Sequence, residues 1–143
     1  MITINEIILH CSATKEGVPF NASDINKWHI KRGFKKIGYN YVILLDGTVE
    51  KGREEGTVGA HTIGHNAHSI GICYIGGLDD NGKPKDTRTE EQKKALLKLV
   101  HSLLKKYDLT IKDVHGHYEF ANKACPSFKI TTFKDEYNEQ YND

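Results

Sequence analysis

The sequence lacks a long apolar run, which argues against a membrane-spanning helix. No stretch of the 143 residues approaches the ~18 consecutive apolar residues that a bilayer span requires. Residues 1–6 also lack the basic segment and the apolar core of a secretory signal peptide. We therefore expect a chain that is made in the cytoplasm and carries no export signal of its own.

The sequence also lacks an excess of positive or of negative charge. The 20 Lys and Arg side chains nearly balance the 19 Asp and Glu side chains, which gives a formal net charge of +1. A balanced surface generates no long-range field that would hold the protein on a phosphate backbone. Nucleic acid is therefore not an expected partner.

Cysteine is scarce, with Cys11, Cys73 and Cys125 as its three positions. A small, odd number of thiols does not form a disulfide framework and suits a reducing compartment. Cys11 and Cys73 lie in apolar segments, where we expect small core side chains rather than ligands. Cys125 lies in a polar segment, where a thiol is available for metal binding.

Linkers, internal repeats and low-complexity tracts are missing as well. Apolar residues make up 38% of the chain and charged residues 27%, which is typical of a globular protein that packs a core. We therefore expect a single domain over residues 1–143, with a monomer as the default state.

Short runs of apolar and β-branched residues predict the strands of this domain. Asp46-Gly47 divides one such run into a hairpin, because an Asp-Gly pair is typical of a tight two-residue turn. The predicted strands are residues 2–9, 39–45, 48–51 and 69–75, with a short one at 111–114.

Helical periodicity and capping residues predict the helices. They are expected from Asn21 or Ser23 to about Gly33, from the capping box at Thr89 to about Tyr107, and onward from Thr131 or Thr132. Because strands and helices alternate, we predict an α/β fold with a central mixed β-sheet and helices on both faces.

Eight histidines are many for a chain of this length, and their grouping matters more than their number. His10 follows the first predicted strand, and His117 and Cys125 flank an irregular segment that can fold both side chains toward one point. Imidazole and thiolate are good zinc ligands, and three protein ligands leave a fourth tetrahedral position for water or substrate. These residues form a candidate catalytic zinc site, although a His and a Cys at this spacing also suit simple packing and surface roles.

Six separated motifs support a more specific interpretation. They run in order across nearly the whole chain: HCSAT at 10–14, GYNY at 38–41, DGTVE at 46–50, GAH at 59–61, SIGI at 69–72 and KACPSF at 123–128. With these motifs the chain resembles the type-2 N-acetylmuramoyl-L-alanine amidases. That family includes peptidoglycan recognition proteins and the amidase-type lysozymes of short-tailed phages.

The resemblance implies an amidase/peptidoglycan recognition protein-like fold and a zinc-dependent enzyme. Its expected reaction is hydrolysis of the amide bond between N-acetylmuramic acid and L-alanine in bacterial peptidoglycan. The family's ligands for the one catalytic Zn²⁺ ion fall on His10, His117 and Cys125. We expect the ion in a groove at the sheet edge, where Tyr39 also converges.

The resemblance further implies that Tyr39 and Lys123 are catalytic, because a phenol and an ammonium can stabilise developing negative charge and assist proton transfer. His61 matches a family position near the substrate groove and is a further candidate for substrate binding. Glu119 is a candidate for orienting an imidazole ligand. Taken alone, the same side chains also suit a packing tyrosine, a solvated lysine, a backbone-bonded histidine and a solvated glutamate.

Two other functions remain open. Some relatives bind peptidoglycan without cutting it and often lack the cysteine, so the presence of Cys125 favours hydrolysis. Some phage amidases also restrain a polymerase, but only nine residues precede His10, so we do not expect binding of a phage polymerase. The lack of an export signal suits an endolysin that another protein releases to the cell wall, and it equally suits a cytosolic recycling enzyme.

Overall fold

A computed structural model describes residues 2–141 of the chain. The main sheet contains β1 (Glu6–Cys11), β3 (Tyr41–Ile43), β4 (Val49–Lys51), β5 (Ser69–Tyr74) and β7 (Val114–Gly116), and a small sheet pairs β2 (Thr14–Lys15) with β6 (Gly77–Leu78). The helices are α1 (Ala22–Lys31), α2 (Glu90–Lys106) and α3 (Ile130–Tyr141), and 3₁₀ turns span Ile111–Asp113 and His117–Glu119.

The main sheet is mixed and has the strand order β4-β3-β5-β1-β7. β1 lies parallel to β5 and β7, and β3 lies parallel to β5, whereas β4 returns antiparallel to β3. All residues of β5 are buried, as are those of β1 beyond its first, which is typical of central parallel strands. The carboxyl ends of β1 and β7 therefore meet at the same edge of the sheet.

Different helices cover the two faces of the sheet. Ile7 and Leu9 of β1 point to the face that packs against apolar side chains of α2 and α3. Val42 and Cys73 point to the other face, where they pack against Ile25 of α1. The predicted α/β fold, with a central mixed sheet and helices on both faces, is confirmed.

The first strand lies further along the chain than the predicted residues 2–9. It begins at Glu6 and continues through His10 and Cys11, because these positions extend the ladder with β5. His10 is thus fixed within a central strand rather than in a loop after it. The short strand predicted at 111–114 is likewise displaced, to Val114–Gly116, and follows a 3₁₀ turn.

The strand predicted at residues 39–45 is shorter than expected and begins at Tyr41. Just before β3, the side chain of Asn40 replaces a backbone carbonyl in the pairing with β5. Its Oδ1 accepts a hydrogen bond of 2.8 Å from the backbone N–H of Gly71. Tyr39 therefore lies in an irregular segment just ahead of β3.

The limits of the helices follow the capping signals closely. Asn21 and Thr89 cap α1 and α2, each within a complete capping box. α3 begins at Ile130, one or two residues before the predicted threonines, and Ile130 and Phe133 bury its first turn in the core. Within residues 2–141, none of the helices combines the length and apolarity that a membrane span needs.

Candidate metal centre and active site

His10, His117 and Cys125 bring three metal-binding atoms to one place. One ligand atom from each side chain lies within 4.8 Å of the other two. The Nδ1 atom of His10 is 3.7 Å from the Cys125 sulfur, and the ring centroids of His10 and His117 are 4.6 Å apart. The three sequence candidates for metal ligands are therefore neighbours in space.

Parallel pairing of β1 and β7 explains why the two histidines meet. The register pairs Leu9 with Gly116, and the next residues along each chain are His10 and His117. Cys125 is brought in by the returning loop, because its sulfur accepts a hydrogen bond of 3.2 Å from the backbone N–H of Cys11. Thus the sheet edge fixes two donors, and a backbone contact fixes the third.

A buried chain of hydrogen bonds determines which nitrogen of His10 carries its proton. The Ser69 hydroxyl donates its one proton to the carbonyl oxygen of His65 at 2.7 Å, so its oxygen accepts from Nε2 of His61 at 3.1 Å. Nδ1 of His61 then carries a lone pair, with Nε2 of His10 at 2.9 Å and the Thr62 hydroxyl at 3.0 Å. Because two lone pairs that face each other at 2.9 Å would repel, Nε2 of His10 carries its proton. His10 therefore keeps a lone pair on Nδ1, the nitrogen that faces Cys125.

The His61 ring lies flat in a space that two glycines leave open. A Cβ atom on Gly71 would come within 2.7 Å of the ring, and one on Gly59 would come within 2.8 Å. Both ring nitrogens of His61 are bonded to protein partners, and the residue is only 9% exposed. This geometry favours contact with His10 over direct hydrogen bonding to a substrate.

The imidazoles of the site are held in the neutral form that metals require. Burial, followed by the charges of His61 and His117, lowers the pKa of His10 well below its usual value. Burial likewise lowers the pKa of His61 to about 3, and burial and the Lys123 charge lower the pKa of His117. At neutral pH all three rings therefore offer lone pairs rather than positive charge.

The Cys125 thiol is not ionised by its protein surroundings. Its contact with the Cys11 side chain and its burial raise the pKa of Cys125 far above the ordinary value, although the backbone N–H of Cys11 acts in the opposite direction. A thiolate here needs a nearby cation, because ligation to a metal is what removes the proton from such a group. The donor set therefore matches a divalent metal better than a free nucleophile.

Tyr39 and Lys123 both border the candidate ligands. The Tyr39 ring centroid lies 4.9 Å from that of His10, and burial raises the pKa of the phenol well above its usual value, so it stays a hydrogen-bond donor. Lys123 is exposed, and its charge lowers the pKa values of His10 and His117. A neutral donor and a cation thus accompany the three metal-binding atoms.

Two neighbouring cavities share part of their walls beside the candidate ligands and together are called the groove. The smaller, of about 210 Å³, includes Tyr39 in its wall, and the larger, of about 630 Å³, includes His61. Both are bordered by Arg32, His117 and Lys123. An extended substrate can therefore lie across the candidate ligands rather than end at them.

Glu119 does not contact a candidate ligand through its carboxylate hydrogen bonds. It accepts from the backbone N–H of Gly116 at 2.7 Å and lies 3.2 Å from the imidazole of His115. The carboxylate instead fixes the turn that follows β7. Of the two roles considered for Glu119, these partners do not support the orienting of a ligand imidazole.

Sequence reasoning missed the contribution of Ser69 to this site. A serine that opens an apolar strand and is almost fully buried needs a polar partner, and this was the available signal. Its partner could not be identified, because the contact with His61 depends on how the intervening segment folds back on β5.

Comparisons with known proteins agree with this geometry. A family model described as N-acetylmuramoyl-L-alanine amidase matches residues 2–128. The endolysin of Escherichia phage T7 is 44% identical over 124 residues, which cover 87% of this chain and 81% of that protein. The endolysin of Enterobacteria phage T3 is 42% identical over 128 residues, which cover 90% of this chain and 83% of that protein.

Solved structures include a similar fold at detectable sequence identity. The N-acetylmuramoyl-L-alanine amidase LysC from Clostridium intestinale URNW superposes with a TM-score of 0.82 at 29% identity. The match covers 96% of this chain and 87% of that one.

Proposed function

Because the chain belongs to the N-acetylmuramoyl-L-alanine amidase family, we propose that it is a zinc-dependent amidase of bacterial peptidoglycan. It hydrolyses the amide bond that joins the lactyl group of N-acetylmuramic acid to L-alanine. The observation that carries the proposal is the convergence of His10, His117 and Cys125 within 4.8 Å, beside the cavity that His117 and Cys125 line.

The donor set fits zinc on chemical grounds. Two neutral imidazoles and one thiol are the nitrogen and sulfur ligands that Zn²⁺ prefers, and three protein ligands leave one position open, as in catalytic sites. When bound, zinc supplies Lewis acidity, which makes an amide carbonyl more electrophilic and a water molecule more nucleophilic near neutral pH. His10, His117 and Cys125 would hold the ion.

Tyr39 and Lys123 provide the remaining chemistry in this proposal. The Tyr39 phenol remains protonated, so it can donate a hydrogen bond to an oxygen that gains negative charge. The Lys123 ammonium adds positive charge on the exposed side of the groove, where it offsets the same developing charge. Both act on the transition state, where the charge is largest.

His61 acts as a positioning residue in this proposal, because both of its ring nitrogens are bonded to protein partners although the residue borders the larger cavity. By accepting from Nε2 of His10 it keeps the Nδ1 lone pair directed at the ion. The substrate-binding role that the resemblance implies for His61 stays a prediction beside this positioning role.

The biological setting that we propose is lysis of the cell wall. Its T7 and T3 phage relatives are endolysins and match more than four-fifths of their own length. Acting as an endolysin, the protein meets peptidoglycan after release to the wall. A cytosolic recycling enzyme of the same specificity would act on soluble wall fragments instead.

The proposal is tested by incubating purified peptidoglycan with the protein and measuring newly freed L-alanine amines. The wild type releases these amines, whereas His117→Ala and Cys125→Ser, which each remove a ligand, release almost none. His101→Ala is the matched control, because its imidazole bonds Tyr137 on α3 and lies outside the site. A folded, zinc-loaded wild type that binds peptidoglycan without releasing amines would make the protein a binding module.

A further inference from the structure

Glu6, His65 and His68 form a second convergence of metal-binding atoms, away from the amidase groove. Their ligand atoms lie within 4.8 Å of one another. One carboxylate oxygen of Glu6 is 2.8 Å from Nδ1 of His65, and the other is 3.4 Å from Nε2 of His68. The two imidazoles thus face different oxygens of Glu6, at separations near the roughly 3.3 Å that neighbouring donors keep in a tetrahedral zinc site.

The strands position this cluster at the opposite end of β1 from His10. Glu6 opens β1 and pairs with Ser69, the residue that follows His68. The backbone N–H of Asn5 also donates to the carbonyl oxygen of His68 at 2.9 Å. His10 is four positions beyond Glu6 along β1, which corresponds to roughly 13 Å, so the two clusters do not share an ion.

Packing holds the His65 ring in place without any metal. It stacks on Phe120 with ring centroids 3.8 Å apart and planes inclined by 25°. The backbone N–H of His68 donates to the carbonyl oxygen of His65 at 3.3 Å, which closes the turn that carries both rings. A ligand set that is ordered in advance loses little conformational entropy when an ion binds.

The charge at this cluster favours a cation. Within residues 2–141, the ion-pair partners of Glu6 are these two histidines, and neither Lys nor Arg reaches its carboxylate. The side chains of Glu6, His65 and His68 are 14%, 27% and 34% exposed, so an ion can enter and keep a water ligand. Two imidazoles with one carboxylate suit zinc and similar transition metals, whereas magnesium and calcium prefer oxygen ligands alone.

We propose that Glu6, His65 and His68 form a second Zn²⁺ site, separate from the catalytic one. An ion there ties the amino end of β1 to residues 61–68, the segment that supplies His61. An ion at this site would stabilise the fold rather than take part in the reaction, because its ligands do not border the amidase groove. This inference does not depend on the proposed reaction.

The experiment is a zinc titration of metal-free, untagged protein by calorimetry. We expect the wild type to bind two ions per chain and Cys125→Ser to bind one, at the Glu6 cluster. Glu6→Gln keeps a hydrogen-bonding side chain of the same shape but loses the anionic ligand, so it should weaken this second binding event at least 10-fold. His65→Gln/His68→Gln should abolish it, and His101→Gln should bind two ions like the wild type.

Melting temperatures provide an independent measurement. Saturating zinc should raise the melting temperature of Cys125→Ser by several degrees, since an ion that binds only the folded state stabilises it. The same zinc should leave Cys125→Ser/Glu6→Gln unchanged. A wild type that binds a single ion and loses it in Cys125→Ser, or a Cys125→Ser variant whose zinc binding and melting are unaffected by Glu6→Gln, would overturn the second site and leave the amidase proposal standing.

Discussion

His61 fixes the tautomer of His10: Nε2 of His10 lies 2.9 Å from Nδ1 of His61, and both rings are buried. The proton on Nε2 of His10 leaves its lone pair on Nδ1, beside Cys125. Partners of this kind orient a metal ligand and raise its basicity, and their loss typically weakens metal binding by roughly 10–100-fold.

Ser69→Ala should lower zinc affinity at the catalytic site by about 10-fold or more. Without the Ser69 oxygen as acceptor, His61 can move its proton to Nδ1, which pushes the His10 proton to the nitrogen that faces the ion. The titration is made in a Glu6→Gln background, so that one class of site is observed. Ser102→Ala is the control, because that hydroxyl bonds only its own helix at Lys98; equal affinities in the two variants would contradict the tautomer argument.

Gly71→Ala should displace the His61 ring and weaken zinc binding in the same way. The added Cβ would lie 2.7 Å from the imidazole, and such overpacking costs about 1–3 kcal/mol of stability. Gly17→Ala serves for comparison, since nothing lies within 4 Å of that Cβ and only its positive φ of 82° is strained. Gly17→Ala should keep the wild-type zinc affinity. If Gly71→Ala keeps it as well, the space beside His61 has no part in metal binding.

Tyr39→Phe and Lys123→Ala should each reduce turnover by roughly 10²-fold or more while zinc stays bound. Each removes a group that acts on transition-state charge rather than a ligand. Initial rates of amine release and zinc content by elemental analysis are measured on the same samples. Tyr137→Phe and Lys112→Ala, far from the groove, should keep normal rates, and near wild-type turnover in either active-site variant would assign that residue to the scaffold.

Asp86→Asn should destabilise the protein at neutral pH by about 1–3 kcal/mol, because it replaces with a neutral amide the carboxylate that accepts two hydrogen bonds from the buried Arg88 guanidinium. Burial alone would raise the pKa of Asp86, but its hydrogen bonds with Arg88 outweigh burial and lower it. The folded state therefore binds this proton less tightly than the unfolded state. The stabilisation by the Asp86 carboxylate is complete above the pKa of an Asp in the unfolded chain, about 4. It is lost as the pH falls through the lower pKa of Asp86 in the folded state.

Denaturant unfolding of the metal-free chain at several pH values checks this dependence. The stability difference between the wild type and Asp86→Asn should be largest near neutrality and should shrink below about pH 4. Arg88 also contacts Glu136 and stacks over Phe128 at 3.9 Å, so these interactions remain in the variant. A difference that stays constant on acidification would show that ionisation of Asp86 does not contribute.

Much of the fold was predictable, because its signals are local. The capping box at Thr89 predicted the start of one helix, and Asn21 was one of two residues predicted to cap another. The apolar run at 69–75 identified the central strand within one residue. The two-residue strands β2 and β6 escaped prediction, since Thr14–Lys15 and Gly77–Leu78 carry no apolar pattern and are held by one another.

The candidate ligands were predictable from residue type and from motifs, but their supporting contacts were not. His10 and His61 are 51 residues apart in sequence, and their contact depends on the path of the segment between β4 and β5. The Glu6 cluster depends on the register between β1 and β5, which the strand limits predicted at 2–9 did not specify. A sequence pattern identifies the chemistry of a side chain, whereas the side chains that it contacts are determined by long-range strand pairing.

The most direct test of the zinc-dependent amidase is turnover of purified peptidoglycan before and after metal removal. The Glu6→Gln variant is used, so that restored zinc reports on the catalytic ligands. We predict that chelation abolishes the release of L-alanine amines and that about one equivalent of zinc per chain restores it. Undiminished release from protein that elemental analysis finds free of metal would contradict the account.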